Sequence, residues 1–480
     1  MTASPAAGGV HPTTSFWAGV RRYAVPATMI ETATARRLTG DWAGACAAAG
    51  IDTDLRLRPL AREYGREFAA ALRDDLRHLA PDLLRWHMPR IAPDGLLRPG
   101  LTVSLARYET HGRGGPRPVR LVARTPPAWA DAGQRIGLAL WDADRTGARA
   151  GPHPHPHPSP RFRLDLHRHL WDARRSGELR TRAGSGEPAD DAPLPPADGG
   201  GRPCAADRWA DEARILLRAE GLSGGGVLVR LTARHRLLLA TEGGALPGDP
   251  VRTRITPAPP GRGSAALPVL PDAATWVPPD VELLRTGAIT PGALHPLVAA
   301  ALVPEHTPPG PHGAADRDGR PDAVDCRGAR HRIALVDGVL TAVDHDPAEI
   351  RREELLAALG GPPLPCLRAI DEAHRRPQGL TGIRERLDHG DTGGALAVVE
   401  ALLGSAAVLP DGPLLDELHD AARRRITYGL YRAGLIGDGP VPTPAPAAGR
   451  RRRGRRRRDR GVLERPRPDG ARTRPRLAHR

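Results

Sequence analysis

Lysine and asparagine are both absent from the 480 residues. Without lysine there is no P-loop lysine, no pyridoxal Schiff base, no kinase strand lysine and no S-x-x-K acyl enzyme. Without asparagine there is neither a kinase metal-site Asn nor a glycosylation sequon. Both residues have AT-rich codons, so the simplest origin is a GC-rich genome. The four cysteines, Cys46, Cys204, Cys326 and Cys366, form no C-x-x-C pair, and the pattern fits reduced thiols in the cytoplasm. Long apolar runs are also missing. "PLVAAALV" (Pro296–Val303) falls far short of a membrane span, and the stretch before Arg21 and Arg22 has no signal-like apolar core. Aromatics make up only 3% of the chain.

Arginine, glycine and proline are plentiful. Gly 55 and Pro 52 lie well above the usual share of roughly 12%, so much of the chain is expected to be loop or linker. The net charge is +15, with a sequence pI of 10.9. Most of that charge sits in one place. Arg450–Arg480 holds fifteen Arg against Asp459, Glu464 and Asp469, a net of +12, which leaves +3 for the rest. Within it, Arg450, Arg451, Arg452, Arg453, Arg455, Arg456, Arg457 and Arg458 are the candidate polyanion-binding residues, able to neutralise phosphates and release counterions. Base stacking needs aromatics, and this segment has no Phe, Tyr or Trp.

Patterning predicts an α+β fold with helical hairpins at both ends of the ordered region, short antiparallel β-hairpins between them and a disordered basic C-terminal tail. Residues 1–25 are expected to be a loose leader and 26–92 a helical region. Phe68, Leu72, Leu76, Leu79 and Leu83 fall at helical spacing, with Pro81 bending or restarting the helix. Residues 98–175 are expected to be β-rich, with "LTVSLARYE", "RPVRLVART" and "QRIGLALWD" as strands and "RFRLDLHRHLWDARR" as a strand running into a helix. Residues 176–206 read as a Gly/Pro linker. Residues 207–256 read as a helix, with Trp209, Ala213, Leu216 and Leu217 inward, followed by a β-hairpin. Residues 257–325 are Pro-rich and irregular, apart from a short helix near Leu294–Leu302. Residues 326–437 read as a β-hairpin plus helical domain, and 438–480 as the tail.

The clearest local signals lie in that last domain. Asp337-Gly338 between apolar runs predicts a type I′ turn. Asp346, with Pro347 and Glu349 after it, predicts a capped helix start, and Gly360-Gly361 its end. There is also an internal echo between "RRLTGDWAGACAAAG" (Arg36–Gly50) and "ERLDHGDTGGALAVVEALLG" (Glu385–Gly404). It predicts two separate helical hairpins in which Asp41 or Asp391 caps the second helix.

Motifs with chemical potential fail on context. Polyproline II geometry points His153, His155 and His157 to different faces, so "GPHPHPHPSP" reads as a mobile loop without a preformed metal site. "GLSGG" around Ser223 has a helix before and a strand after, the reverse of a nucleophile elbow. "GRGSAA" at Gly261 follows no strand. "DRDGRPD" (Asp316–Asp322) lacks the calcium-loop spacing. His345, between Asp344 and Asp346, reads as a strand-to-helix corner and not as a general base. The tryptophans, among them Trp42, Trp86, Trp141, Trp171 and Trp209, read as core anchors that form no stacking surface.

The segments "ARRLTGDWAGACAAAGID" (Ala35–Asp52), "DDLRHLAPDLLRWHMPR" (Asp74–Arg90), "HRHLWDARRSGELR" (His167–Arg180) and "ITYGLYRAGLIG" (Ile426–Gly437) resemble an uncharacterised family of actinobacterial proteins. That resemblance implies no activity, cofactor or site residue. The functional expectation is therefore a non-catalytic cytoplasmic interaction or scaffold protein with a protein partner and a polyanion-binding tail, with no catalytic, cofactor-binding or metal-ligating residue assigned and no membrane contact. Two alternatives stand beside it: a hydrolase or metal-dependent enzyme whose site is assembled from distant His, Asp and Glu, and a nucleic-acid-binding protein acting through the tail.

Overall fold

The computed structural model describes residues 12–112, 115–130, 134–143, 153–184, 202–232, 234–242, 252–259, 266–306, 323–326, 329–336, 339–342, 345–359, 364–365, 367, 378–403 and 411–435. The chain divides into Met1–Gly437 and Asp438–Arg480. The second unit, with Arg450–Arg458, lies outside the described residues, as do Asp337-Gly338, Gly360-Gly361, Gly261 and Asp316–Asp322.

The first unit begins with helices α1 (Pro12–Tyr23), α2 (Ala27–Leu38) and α3 (Trp42–Ala48), then strand β1 (Ile51–Thr53). Next come α4 (Leu57–Tyr64), α5 (Arg66–His78) and α6 (Pro81–His87). Pro81 takes the first helical position of α6, where its missing N–H costs nothing, so one apolar stripe continues across two helices. The short strands β2 (Arg90–Ile91) and β3 (Leu96–Leu97) pair with each other, and β4 (Thr102–Gly112), β5 (Gly115–Arg124) and β6 (Ile136–Asp142) form a sheet with β1. Its order is β1-β6-β5-β4; only β1–β6 is parallel. Phe68, Leu72 and Leu76 from α5, with Leu83, Leu84 and Trp86 from α6, pack on Val103, Leu105, Val119 and Leu121 of this sheet.

A second core lies further along. After α7 (Leu179–Arg182), helix α8 (Trp209–Ala219) packs Trp209, Ala213, Leu216 and Leu217 onto the antiparallel sheet of β7 (Gly225–Arg230), β8 (Arg236–Glu242) and β9 (Arg252–Pro257). The short helices α9 (Asp272–Thr275), α10 (Pro279–Arg285) and α11 (Pro296–Leu302) follow. Then come the antiparallel strands β10 (Ala323–Cys326), β11 (Ala329–Val336) and β12 (Val339–Ala342). The last described helices are α12 (Pro347–Ala358), α13 (Gln378–Asp388), α14 (Thr392–Leu403) and α15 (Pro413–Arg432). The fold is α+β, with small, mostly antiparallel sheets between helical segments. Asp346 caps α12 by accepting from the Ala348 N–H at 3.0 Å.

The internal echo is a shared turn geometry. Gly40 and Gly390 both have φ of +83°. They close α2 and α13 with paired 6→1 and 5→2 backbone bonds, Asp41 N–H to Arg36 and Gly40 N–H to Arg37 in the first, Asp391 N–H to Arg386 and Gly390 N–H to Leu387 in the second. The following Asp then opens the next helix, Asp41 accepting from Gly44 N–H at 2.8 Å and Asp391 from Gly394 N–H at 2.9 Å. Each Asp is also paired with the arginine five residues before it, Arg36 and Arg386. Gly44 and Gly394 are required because a Cβ there would collide with the capping carboxylate. The Arg that counts is the one five residues before Asp: Arg386 of the Arg-Leu pair in the second turn, but Arg36, one place before that pair, in the first.

Several expectations are corrected. Residues 12–23 of the expected leader form α1, and Val20, Ala24 and Val25 join the main core. "RFRLDLHRHLWDARR" forms no strand and no α-helix; it is a run of turns with isolated bridges at Arg163 and Asp172 and one short 3-10 turn, Arg168–Leu170, closed by local bonds such as Leu166 N–H to Arg163 and Leu170 N–H to His167. Its alternating charges are buried as pairs, Arg163 with Asp165 and Glu220. Residues 176–184 of the expected linker carry α7, with Leu179 and Ala183 in the core. The Pro-rich stretch carries the expected short helix as α11 but also α9 and α10, and it contributes buried Leu270, Val277, Leu283 and Val298. The His-Pro run is pinned: the His153 Nε2–H donates to the Thr125 carbonyl at 2.9 Å, and the Thr102 hydroxyl donates to the His155 carbonyl at 2.7 Å.

Arg85 joins distant parts of the unit. It is 1% exposed and donates to the carbonyls of Ala24 (3.0 Å), Gln134 (2.5 Å) and His389 (2.9 Å). Each orphaned buried carbonyl costs about 1–3 kcal/mol. Arg85→Met is therefore expected to lower unfolding free energy by about 3–5 kcal/mol in urea titration. A loss below about 1 kcal/mol would mean that the carbonyls find other donors.

Candidate functional site

Where α6 ends, the chain reads Met88-Pro89. Proline disfavours helix in the residue before it, and Met88 is extended at φ −61°, ψ 143°. Helix α6 therefore stops at His87, with Trp86 and His87 against a cavity of about 320 Å³. Pro278-Pro279 does the converse on the opposite wall: Pro279 starts α10, and the residues just before it bring Trp276 to the same cavity. Helix α1 adds Trp17 and Arg21, the β2–β3 hairpin Arg90 and Arg98, the turn segment Arg161, Phe162 and His169, and α7 Arg182.

One wall is a stack of alternating indoles and guanidiniums. The Arg21 guanidinium lies 4.4 Å from the Trp86 ring and 5.3 Å from Trp17, and Arg202 lies 5.9 Å from Trp17 and 5.5 Å from Trp276. Such contacts are favourable when desolvated. Tryptophans expected to be isolated core anchors thus converge: Trp86 is fully buried, while Trp17 and Trp276 are part-buried beside the cavity.

Three of the cavity's arginines are neutralised. Arg21 donates to both oxygens of Asp280, at 2.7 and 2.8 Å, and to the Trp86 carbonyl at 2.6 Å. Arg161 makes the same fork to Asp272, and Arg182 to Glu212. Burial alone would raise the Glu212 pKa, but hydrogen bonds from His167 and Arg182 outweigh it and bring it to about 2. The other three have no carboxylate partner among the described residues. Arg90 spends Nη1 and Nη2 on the carbonyls of Gly95 and Arg85, and its buried Nε–H has no acceptor. Arg98 and Arg202 are exposed at the rim. Six guanidiniums against three carboxylates leave an excess of three positive charges.

The two cavity histidines do not add charge at neutral pH. Burial pushes His87 down to about 3 and, helped by His167 and Arg182, holds His169 well below its ordinary value. The His87 Nε2 is buried without a hydrogen-bond partner. His169 accepts from Arg182 through Nδ1 at 3.4 Å. No Ser, Thr, Cys, Tyr or Glu is among the described lining residues, and the single lining carboxylate, Asp272, is held by Arg161.

The positions singled out in the sequence lie elsewhere. Ser223 sits between α8 and β7, where Gly221 (φ +73°) closes the helix. His345 lies 3.7 Å from Glu349, one turn along the start of α12. His295 and Asp82, both 1% exposed and 3.0 Å apart, pin α11 to α6 without lining the cavity. Among the described residues no group of three or more His, Cys, Asp or Glu is placed to hold a metal ion, and no helix is long and apolar enough to cross a membrane. Sequence reasoning missed the cavity. The available signal was local, in "RWHMPR" and "TWVPP", where an aromatic residue stands shortly before a helix-terminating or helix-starting proline.

No protein-family model matches the chain, and no curated protein or solved structure matches it either.

Two outcomes follow. Asp280→Ala leaves Arg21 buried and uncompensated, so stability should fall by about 3–5 kcal/mol; calorimetry showing an unchanged Tm would mean that the fork is not what holds α1. The histidines supply a pH test. Their folded pKa is depressed below the ordinary 6.5, so the unfolded chain takes up their protons first. The stability they contribute is complete above pH 6.5 and falls as pH drops toward 3, by at most about 1.4 kcal/mol per pH unit for each group. Denaturation midpoints between pH 7 and 4.5 should fall for the native chain, and less steeply for His389→Gln, whose buried ring burial likewise pushes down to about 3. Parallel slopes would refute it.

Proposed function

We propose that the protein is a non-catalytic binding component whose cavity receives a small organic anion. What carries this reading is the lining: an excess of three guanidiniums beside four aromatic rings, with no Ser, Thr, Cys or Tyr and no unpaired carboxylate among the described lining residues. Acid–base or covalent catalysis needs a reactive group placed against the substrate, and the carboxylates nearest this cavity are each held by arginine. Guanidiniums recognise anions by directed paired bonds, and a mostly apolar cavity of this size suits a small molecule.

The wider reading keeps this component in the cytoplasm, where Cys46, Cys204 and Cys326 are free thiols, and gives it a protein partner. Leu355 and Leu356 of α12 and Leu359 just past its end, exposed at 65%, 54% and 85%, support that interaction role. The run Arg450–Arg458 binds polyanions without sequence preference. With ~6 phosphates contacted, log K should fall against log salt with a slope of about −5; a hundredfold preference for one DNA or RNA sequence would overturn this.

The test of the cavity is thermal unfolding of the full chain against a panel of organic anions and matched cations. A true ligand at a hundred times its Kd stabilises by about 2.7 kcal/mol, while the cations do nothing. Mass spectrometry should recover the ligand unchanged. Recovery of a cleaved or altered ligand would favour the hydrolase alternative.

A further inference from the structure

The geometry points to a particular class of anion, resting on the reading of the cavity as an anion site: a phosphomonoester carried on a heteroaromatic ring, of which a nucleoside monophosphate is the model compound. Three independent features converge on it.

The first is charge. The excess of three guanidiniums over carboxylates exceeds what a monocarboxylate can balance, and a phosphomonoester brings close to two negative charges at neutral pH. Two of the uncompensated arginines, Arg90 and Arg98, come from one hairpin. Arg90 pairs across to Leu97, and the Arg98 N–H donates to the Pro89 carbonyl at 2.9 Å, so both arginines enter the cavity from the same short turn. The Arg90 Nε–H is buried and has no acceptor. With no carboxylate partner among the described residues, the Arg90 guanidinium leaves its charge for a bound anion to balance.

The second is the ring. Arg202 is exposed, yet its guanidinium sits between the Trp17 and Trp276 indoles at 5.9 and 5.5 Å. Two indoles that accept a flat cation at this rim offer π-faces on which another flat π-system can stack. Because Arg202 lies at the rim, it can move outward to meet the anion.

The third is polarity on that ring. His87 lines the cavity and gives it a polar edge that a plain aryl group leaves unused. Burial keeps this imidazole neutral, so it offers one donor and one acceptor and does not compete for the phosphate.

The experiment uses the full chain and follows tryptophan fluorescence and calorimetry with AMP, adenosine, inorganic phosphate, phenyl phosphate and benzoate. AMP should quench the indoles and bind one to one, with adenosine and inorganic phosphate each weaker by about a hundredfold or more. Arg90→Met should weaken AMP by about tenfold to a hundredfold. Arg202→Met, which keeps an unbranched side chain against the indoles, should weaken it by about tenfold and reduce the quench. AMP binding at full strength in both variants would place the nucleotide outside the cavity, on the C-terminal arginines for example, and overturn the proposal. Benzoate binding as tightly as AMP, and lost in the same variants, would overturn the phosphomonoester assignment but leave the anion site standing. No binding by any of these anions would overturn both.

Discussion

The ion pair between Arg21 and Asp280 joins residues 259 apart and holds the cavity's architecture. Asp280, with no exposed surface, also accepts from the Trp86 indole N–H at 3.3 Å. One carboxylate thus fixes helix α1, the end of α6 and the start of α10 at a single point. Burying such a pair recovers its desolvation cost only when the remaining donors are used. Here the third Arg21 donor reaches the Trp86 carbonyl, and the guanidinium faces are covered by indoles. An ammonium group could not fill this place, because it has neither a flat face nor a bidentate fork. In a chain without lysine, every side-chain cation other than histidine has this planar form.

The same physics separates two kinds of arginine around the cavity. Arg21, Arg161 and Arg182 are locked by carboxylates and build the walls. Arg90, Arg98 and Arg202 have no carboxylate partner among the described residues, and they line the same cavity. The near-neutral balance of the first 449 residues conceals this segregation, since a small net charge places no limit on a local excess.

The two Gly-Asp turns show how one local solution is used twice. Each closes a helix and opens the next with the same bonds, and each is braced by an arginine five residues earlier. The second is also tied into the core, because Arg85 donates to the carbonyl of His389 inside that turn. A short motif that satisfies its own backbone can be set anywhere a small helical hairpin is needed.

Local order was legible in the sequence because local order is decided locally. Periodicity placed Phe68, Leu72 and Leu76 on one buried stripe. The Asp346-Pro347 cap, the strands flanking the β11–β12 connection and the inward face at Trp209 follow from spacing and turn chemistry alone. The same rules misjudged 12–23, 153–184 and much of 266–306. There the segments have weak intrinsic preference, and tertiary partners satisfy their backbone and charges, as Thr125 does for His153 and Glu220 for Arg163. The absence of lysine and asparagine, and the chemistry it forbids, was settled by the sequence. The cavity was decided only by the tertiary structure. Its arginines at 21, 90, 98, 161, 182 and 202 lie in separate segments with no common spacing, and its neutral histidines owe their state to burial. Sequence pattern records what neighbours along the chain do to one another, whereas this site is made by groups that become neighbours only after the chain has folded.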